Sequence, residues 1–158
     1  MALPGRERNS IVAKVFFDTN ILVYTVDKKD REKTRVSRET IKSVTQNHSP
    51  VISTQILQEF YNAATSKLKI DKIAAKNIVH NFRNMEIVTI DLILIEQAID
   101  VSVLFQLSFW DSLVIAAAEQ ANCSYLVSED LNSGQRIRGM EIINPFKKRA
   151  YFSRDDTR

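Results

Sequence analysis

Four carboxylates, Asp18, Glu59, Asp111 and Asp130, are the side chains of this sequence best suited to chemistry. Asp18 closes the apolar run V-A-K-V-F-F-D at 12–18, and T-N follows it into a helix-like stretch at 21–26. Asp111 stands in F-W-D-S-L, in the first turn of an apolar helix, and Asp130 in L-V-S-E-D-L-N-S-G, directly after a strand-like run. Glu59 lies one to two turns inside a helix that follows another such run. Singly, each acid has an ordinary explanation. Asp18 can cap a helix, Asp111 is favoured by a helix dipole, Asp130 suits a turn, and Glu59 can be solvated. Together they repel one another, and without a counter-charge some must take up protons. A divalent cation removes that conflict. An all-oxygen donor set suits Mg²⁺ or Mn²⁺. His48 precedes Pro50 in a loop and His80 is mid-helix, so neither is expected as a ligand and zinc is not expected. Such a site suits phosphodiester hydrolysis, in which a metal activates a water, polarises the phosphoryl group and steadies the leaving oxygen. Four acids suit one ion or two.

The elements that must carry these acids alternate. Strands are expected at 12–18, 50–53, 85–90, 124–127 and 141–143. Helices are expected at 34–46, from an N-cap at Thr54 to Lys67, from an N-cap at Asp71 to about Asn84, at 91–104 and at 110–122. The last is apolar on nearly all sides and should be buried. Alternation of this kind implies an α/β fold with a mainly parallel sheet of four to five strands and helices on both faces. In such a sheet ligands bind at the carboxyl ends of the strands, which is where Asp18, Asp111 and Asp130 are expected. Glu59 lies about 60° from Ile56 and about 100° from Phe60 around its helix, at the margin of the buried stripe.

The length of 158 residues suits one compact domain. We divide it into an N-terminal extension (1–11), a domain (12–147) and a charged C-terminal tail (148–158). No apolar run approaches the roughly 20 residues that span a bilayer, and residues 1–10 lack the apolar middle of a signal peptide. The single cysteine, Cys123, excludes an internal disulfide and is expected as a packed thiol, which agrees with a reducing, cytoplasmic setting. Glycine occurs only at Gly5, Gly134 and Gly139, which excludes a Gly-rich phosphate loop. The net charge of +3 is modest, but Lys28, Lys29, Arg31, Lys33, Arg35 and Arg38 are grouped, as are Arg136 with Arg138 and Lys147 with Lys148 and Arg149. Groups of this kind can grip a polyanion while the acids hold a metal.

The segments F-F-D-T-N-I-L-V-Y, Q-E-F, W-D-S-L-V-I-A-A-A and L-V-S-E-D-L, in that order, resemble the PIN domain, above all its VapC-type toxin ribonucleases from bacteria and archaea. M-E-I-I-N-P-F is similar to the family's last strand, and the likeness runs from about Val12 to Phe146. The resemblance implies a three-layer α/β/α fold and a Mg²⁺- or Mn²⁺-dependent endoribonuclease. It carries the family's four metal-binding, catalytic acids onto Asp18, Glu59, Asp111 and Asp130. It puts two supporting residues at Asn20, in the opening motif, and Ser128, which orients the first acid. Glu129 is an extra acid beside Asp130. The partners it implies are RNA, an antitoxin from the same operon and a second copy of the chain. Tyr61 or Phe82 could serve an interface, but a core role is expected of them. The N-terminal extension and the tail R-A-Y-F-S-R-D-D-T-R depart from the usual toxin length. Two other readings are a PIN-fold protein that binds RNA or a partner without cutting, and an aspartyl phosphatase. The latter needs a second Asp two residues after the first, where this chain has Asn20.

Overall fold

The computed structural model describes residues 12–147 and Phe152; the expected extension (1–11) and the rest of the tail lie outside the described residues. Six strands form one sheet in the order β3-β2-β1-β4-β6-β5. They are β1 (Lys14–Phe17), β2 (Ser49–Ser53), β3 (Glu86–Val88), β4 (Tyr125–Val127), β5 (Arg136–Ile137) and β6 (Met140–Ile143). All neighbouring pairs are parallel except β5 with β6. Six helices flank the sheet: α1 (Thr19–Tyr24), α2 (Arg31–Asn47), α3 (Thr54–Ser66), α4 (Lys72–Asn81), α5 (Leu92–Phe105) and α6 (Phe109–Gln120).

The strands form where they do because Val15, Phe16, Phe17, Val51, Ile52, Leu126, Val127, Ile142 and Ile143 are all buried, as the near-continuous apolar runs of a sheet covered on both faces require. The expected α/β architecture holds, with one strand more than four to five. The extra β5 is only two residues long, too short to give a periodic signal, and a turn joins it to β6. Arg138 (φ 51°) and Gly139 (φ 80°) both take positive φ there, the pattern of a tight hairpin turn that twists with its strands.

Several helix boundaries differ from expectation: α1 covers Thr19–Tyr24 rather than 21–26, and α2 begins at Arg31, capped by Asp30, rather than at 34. Ser53, not Thr54, caps α3 by accepting from the Ile56 N–H at 3.5 Å. Thr54 is already helical, and its hydroxyl accepts from the Ile90 N–H at 3.1 Å, tying α3 to the end of β3. The helix from Asp71 ends at Asn81, and Phe82–Asn84 tighten into a 3₁₀ turn. Asp71 caps α4 as expected, accepting from the N–H groups of Ile73 and Ala74.

In α6 every residue from Ser112 to Ala118 is buried, as its apolar composition requires. Cys123 is buried too, and burial pushes its thiol pKa up to about 12, which makes it inert. Phe152, within the expected charged tail, is buried with its ring edge against His48 (5.8 Å) and Tyr125 (5.6 Å). Among the described residues no single helix is long and apolar enough to cross a membrane.

Candidate active site

Strand order decides where a site can form. The chain steps outward from β1 to β2 and β3, then returns to the other side of β1 with β4 and β6. Ligands bind in the crevice where such an order reverses, outside the carboxyl ends of the two central strands. Here those strands are β1 and β4. Phe17 pairs with Val127, so the next residues, Asp18 and Ser128, emerge side by side. The ladder continues into them: the Asp18 N–H donates to the Val127 carbonyl (3.0 Å) and the Ser128 N–H to the Ile143 carbonyl (3.0 Å).

Asp18 is 8% exposed and each of its carboxylate oxygens accepts one bond. Oδ1 takes the Thr19 N–H at 2.8 Å, and Oδ2 takes the hydroxyl of the fully buried Ser128 at 2.8 Å. Asp18 is thus the N-cap of α1, and Ser128 has the orienting contact that the resemblance implied. Burial raises the Asp18 pKa to about 6 against the two hydrogen bonds, which lower it; the charges of Asp130 and Glu59 raise it further.

Glu59 reaches the edge sideways from α3. The Thr19 hydroxyl donates to its Oε2 (2.6 Å) and the Gln55 amide to its Oε1 (2.8 Å). The same Gln55 amide nitrogen also donates to the Trp110 carbonyl at 3.3 Å, so one buried side chain ties Glu59 to the first turn of α6, where Asp111 stands. Sequence order did not by itself bring Asp111 here, because α6 follows another helix rather than a strand. Ser108 caps α6 by accepting from the Asp111 N–H at 3.1 Å. Asp130, exposed in the loop after β4, accepts from the Asn20 amide at 2.8 Å. Its pKa is raised by burial and by the charges of Glu129 and Asp111; the Asn20 bond and the Lys33 charge pull it down.

Asp18, Asn20, Glu59, Ser128 and Asp130 therefore stand at one edge, held by hydrogen bonds, and Asp111 is near enough to raise the Asp130 pKa by its charge. Thr19, Gln55 and Tyr24 were not expected to take part, and Lys33 was expected only within the basic group at 28–38. Thr19 is the Thr of the T-N motif, but nothing local in Gln55 marks it as the link to α6. Among the described residues, no three His, Cys, Asp or Glu side chains stand close enough to form a ready-made cation cage. The donor chemistry nevertheless fits a hard cation. Asp18, Glu59 and Asp130 accept from neutral donors only, and none of the four acids forms an ion pair among the described residues. A buried carboxylate held this way, its charged form disfavoured, is short of positive charge. Gln55 Oε1 is buried without a partner at the margin of the same cluster.

A family model of the PIN domain matches residues 15–136, a span that begins just before Asp18 and takes in all four acids. This chain belongs to the PIN domain family. No functionally curated protein matches it by sequence. Among solved structures, the PIN domain is similar to a toxin–antitoxin complex from Klebsiella pneumoniae, at 18% identity and a TM-score of 0.63 over 83% of this chain and 97% of that one. It is similar to VapBC2 of Rickettsia felis bound to a promoter DNA fragment, at 16% identity and a TM-score of 0.61 over 82% and 96%. It is also similar to VapC20 of Mycobacterium tuberculosis, a toxin that cleaves the sarcin–ricin loop, at 15% identity and 0.57 over 71% and 86%. At such identities the likeness is one of fold: this PIN domain has a VapC-like fold.

Proposed function

We propose that this PIN domain is a Mg²⁺- or Mn²⁺-dependent endoribonuclease that hydrolyses RNA phosphodiester bonds in the cytoplasm, as the toxin of a toxin–antitoxin pair. The observation that supports the nuclease reading is that Asp18, Glu59 and Asp130 stand at the sheet's switch point and accept hydrogen bonds only from neutral donors, with Asp111 near enough to act on Asp130 by its charge. These four acids would hold the ion. When bound, it supplies an activated water and neutralises charge developing on the phosphoryl group. The chain's own part is positioning. Ser128 and the start of α1 fix Asp18, Gln55 and Thr19 fix Glu59, and Asn20 fixes Asp130. Lys28, Arg31 and Arg38 line a surface groove of ≈ 480 Å³ beside α2, where the RNA backbone can lie. Arg35 lines it too, but is paired with both Glu32 and Glu39.

The toxin part rests on the neighbours, which include toxin–antitoxin complexes. A second copy of the chain fits the outward face of α5. Leu92 (69% exposed), Ile99 (48%) and Val103 (72%) form an apolar stripe there, within about 40° of arc around the helix. Phe82 takes the core role expected of it, packing against Phe60 at 5.0 Å, while Tyr61 is 37% exposed. Val103→Glu should turn a dimer into a monomer in sedimentation velocity; an unchanged sedimentation coefficient would remove α5 from the interface.

The non-cutting alternative draws on one observation, that no ready-made cation cage stands among the described residues. Asp111→Ala separates the two readings. It should slow RNA cleavage by ~10²-fold or more, since one of the four acids that would hold the ion is lost, while the circular dichroism spectrum stays native. Cleavage at the wild-type rate would refute the assignment of Asp111.

A further inference from the structure

Lys33 is paired with Glu129, the residue next to Asp130, and with none of the four acids. Its ammonium, on α2, donates to Glu129 and, at 3.3 Å, to the Tyr24 hydroxyl. It sits over the rings of Tyr24 (4.9 Å) and Phe146 (5.4 Å), which meet edge to face at 5.4 Å. Tyr24, from α1, donates its hydroxyl to the other oxygen of Glu129. Both carboxylate oxygens of Glu129 are thus engaged by α1 and α2, and its carbonyl accepts from the Asn144 amide at 3.5 Å. This gives Glu129 a counter-charge, which none of the four acids has among the described residues, although it is the immediate neighbour of Asp130.

Glu129 directly precedes Asp130, so the ammonium that Glu129 holds is paired one residue away from that carboxylate, in the direction that lowers the Asp130 pKa. The elements that carry Asp111 and Asp130 bring no cation of their own, since no Lys, Arg or His lies between Arg83 and Arg136. An ammonium on a flexible four-carbon stem beside an exposed carboxylate is a ready competitor for any divalent cation. Here Glu129, helped by two aromatic rings and a phenol, already holds it.

We propose that Glu129 is a positioning residue that keeps the Lys33 ammonium off Asp130, leaving Asp130 open to a divalent cation. The proposal rests on the reading of the four acids as a metal site. Glu129 itself is not a ligand in this account, and the Tyr24–Lys33–Glu129–Phe146 cluster is a latch built into the loop after β4.

Mn²⁺ binding by the full chain at constant pH and ionic strength, followed by the electron paramagnetic resonance of free Mn²⁺, tests this without any activity measurement. Glu129→Gln keeps the size of the side chain and an acceptor for Tyr24 but releases Lys33. It should weaken Mn²⁺ binding about fivefold, the most that one exposed ion pair is worth. In an Asp130→Asn background the same change should cost nothing, because the carboxylate that Lys33 competes for is gone. Adding Lys33→Met to Glu129→Gln should restore the wild-type affinity. Unchanged binding by Glu129→Gln, or an equal loss in both backgrounds, would overturn the latch and leave the metal site standing. A wild type that binds no Mn²⁺, indistinguishable from Asp18→Asn, would overturn both. Should Glu129→Gln fail to fold, Lys33→Met alone decides: it must bind Mn²⁺ at least as well as wild type, and weaker binding sinks the proposal.

Discussion

Asp18→Asn should abolish RNA cleavage and, at pH 7–8, make the metal-free protein more stable. The carboxylate is buried, and burial raises its pKa from the ordinary 3.8 to about 6. A group whose pKa rises on folding stabilises the native state fully below its unfolded pKa, and that stabilisation is lost as the pH climbs through the folded value. Between pH 4 and 6 the metal-free protein therefore gives up about 3 kcal/mol at this one residue, at 1.36 kcal/mol per pH unit. Asparagine avoids that cost. It fits the same space, and its amide can still bond to the Ser128 hydroxyl. For a domain of this size the thermal midpoint should rise by up to ~10 °C, less whatever the two charge-assisted bonds were worth. Cleavage should fall by ~10³-fold or more, since the chemistry loses metal activation worth several kcal/mol. Calorimetry at pH 4 and pH 8 checks the sign: the variant should gain at pH 8 and not at pH 4. Equal or lower stability at pH 8 would mean that Asp18 carries no strain.

Acidification should weaken divalent-metal binding, and chelation should stop cleavage. A cation must displace the Asp18 proton once the pH falls below about 6, so apparent affinity should drop roughly tenfold per pH unit there. Asp130, its pKa also raised by burial first and then by its acidic neighbours, pushes in the same direction. Titration calorimetry with Mn²⁺ should therefore show binding about tenfold weaker at pH 5 than above pH 7. Affinity independent of pH would remove Asp18 from the ligand set.

The fold was legible wherever a residue's local neighbours decide its fate. The apolar runs at β1, β2, β4 and β6 allow no other element in a chain of alternating strands and helices, and Asp71 caps α4 where a lone Asp before a helical pattern should. Ser53 and Thr54 are adjacent hydroxyl residues, and only the bond from the Ile90 N–H to the Thr54 hydroxyl, a contact across 36 residues, makes Ser53 the cap. The candidate site divides the same way. Strand order brings Asp18, Ser128 and Asp130 together, because β1 and β4 are neighbours in register. The arrival of Asp111 depends on how α5 and α6 fold against each other and on Gln55, a residue that carries no chemical signature of its own. The state of Glu129 was not legible either. One acid among several in a loop becomes a latch only when α1 and α2 supply Tyr24 and Lys33.

The most direct test of the central claim is the end chemistry of RNA cut by the purified protein. Hydrolysis by water at a site of four metal-binding acids leaves no 2′,3′-cyclic phosphate, because the neighbouring 2′-hydroxyl takes no part. The cuts should require Mg²⁺ or Mn²⁺, vanish with chelator and in Asp18→Asn, and carry no cyclic phosphate. Cuts that persist in chelator and in Asp18→Asn, with cyclic phosphate at their ends, would contradict that claim.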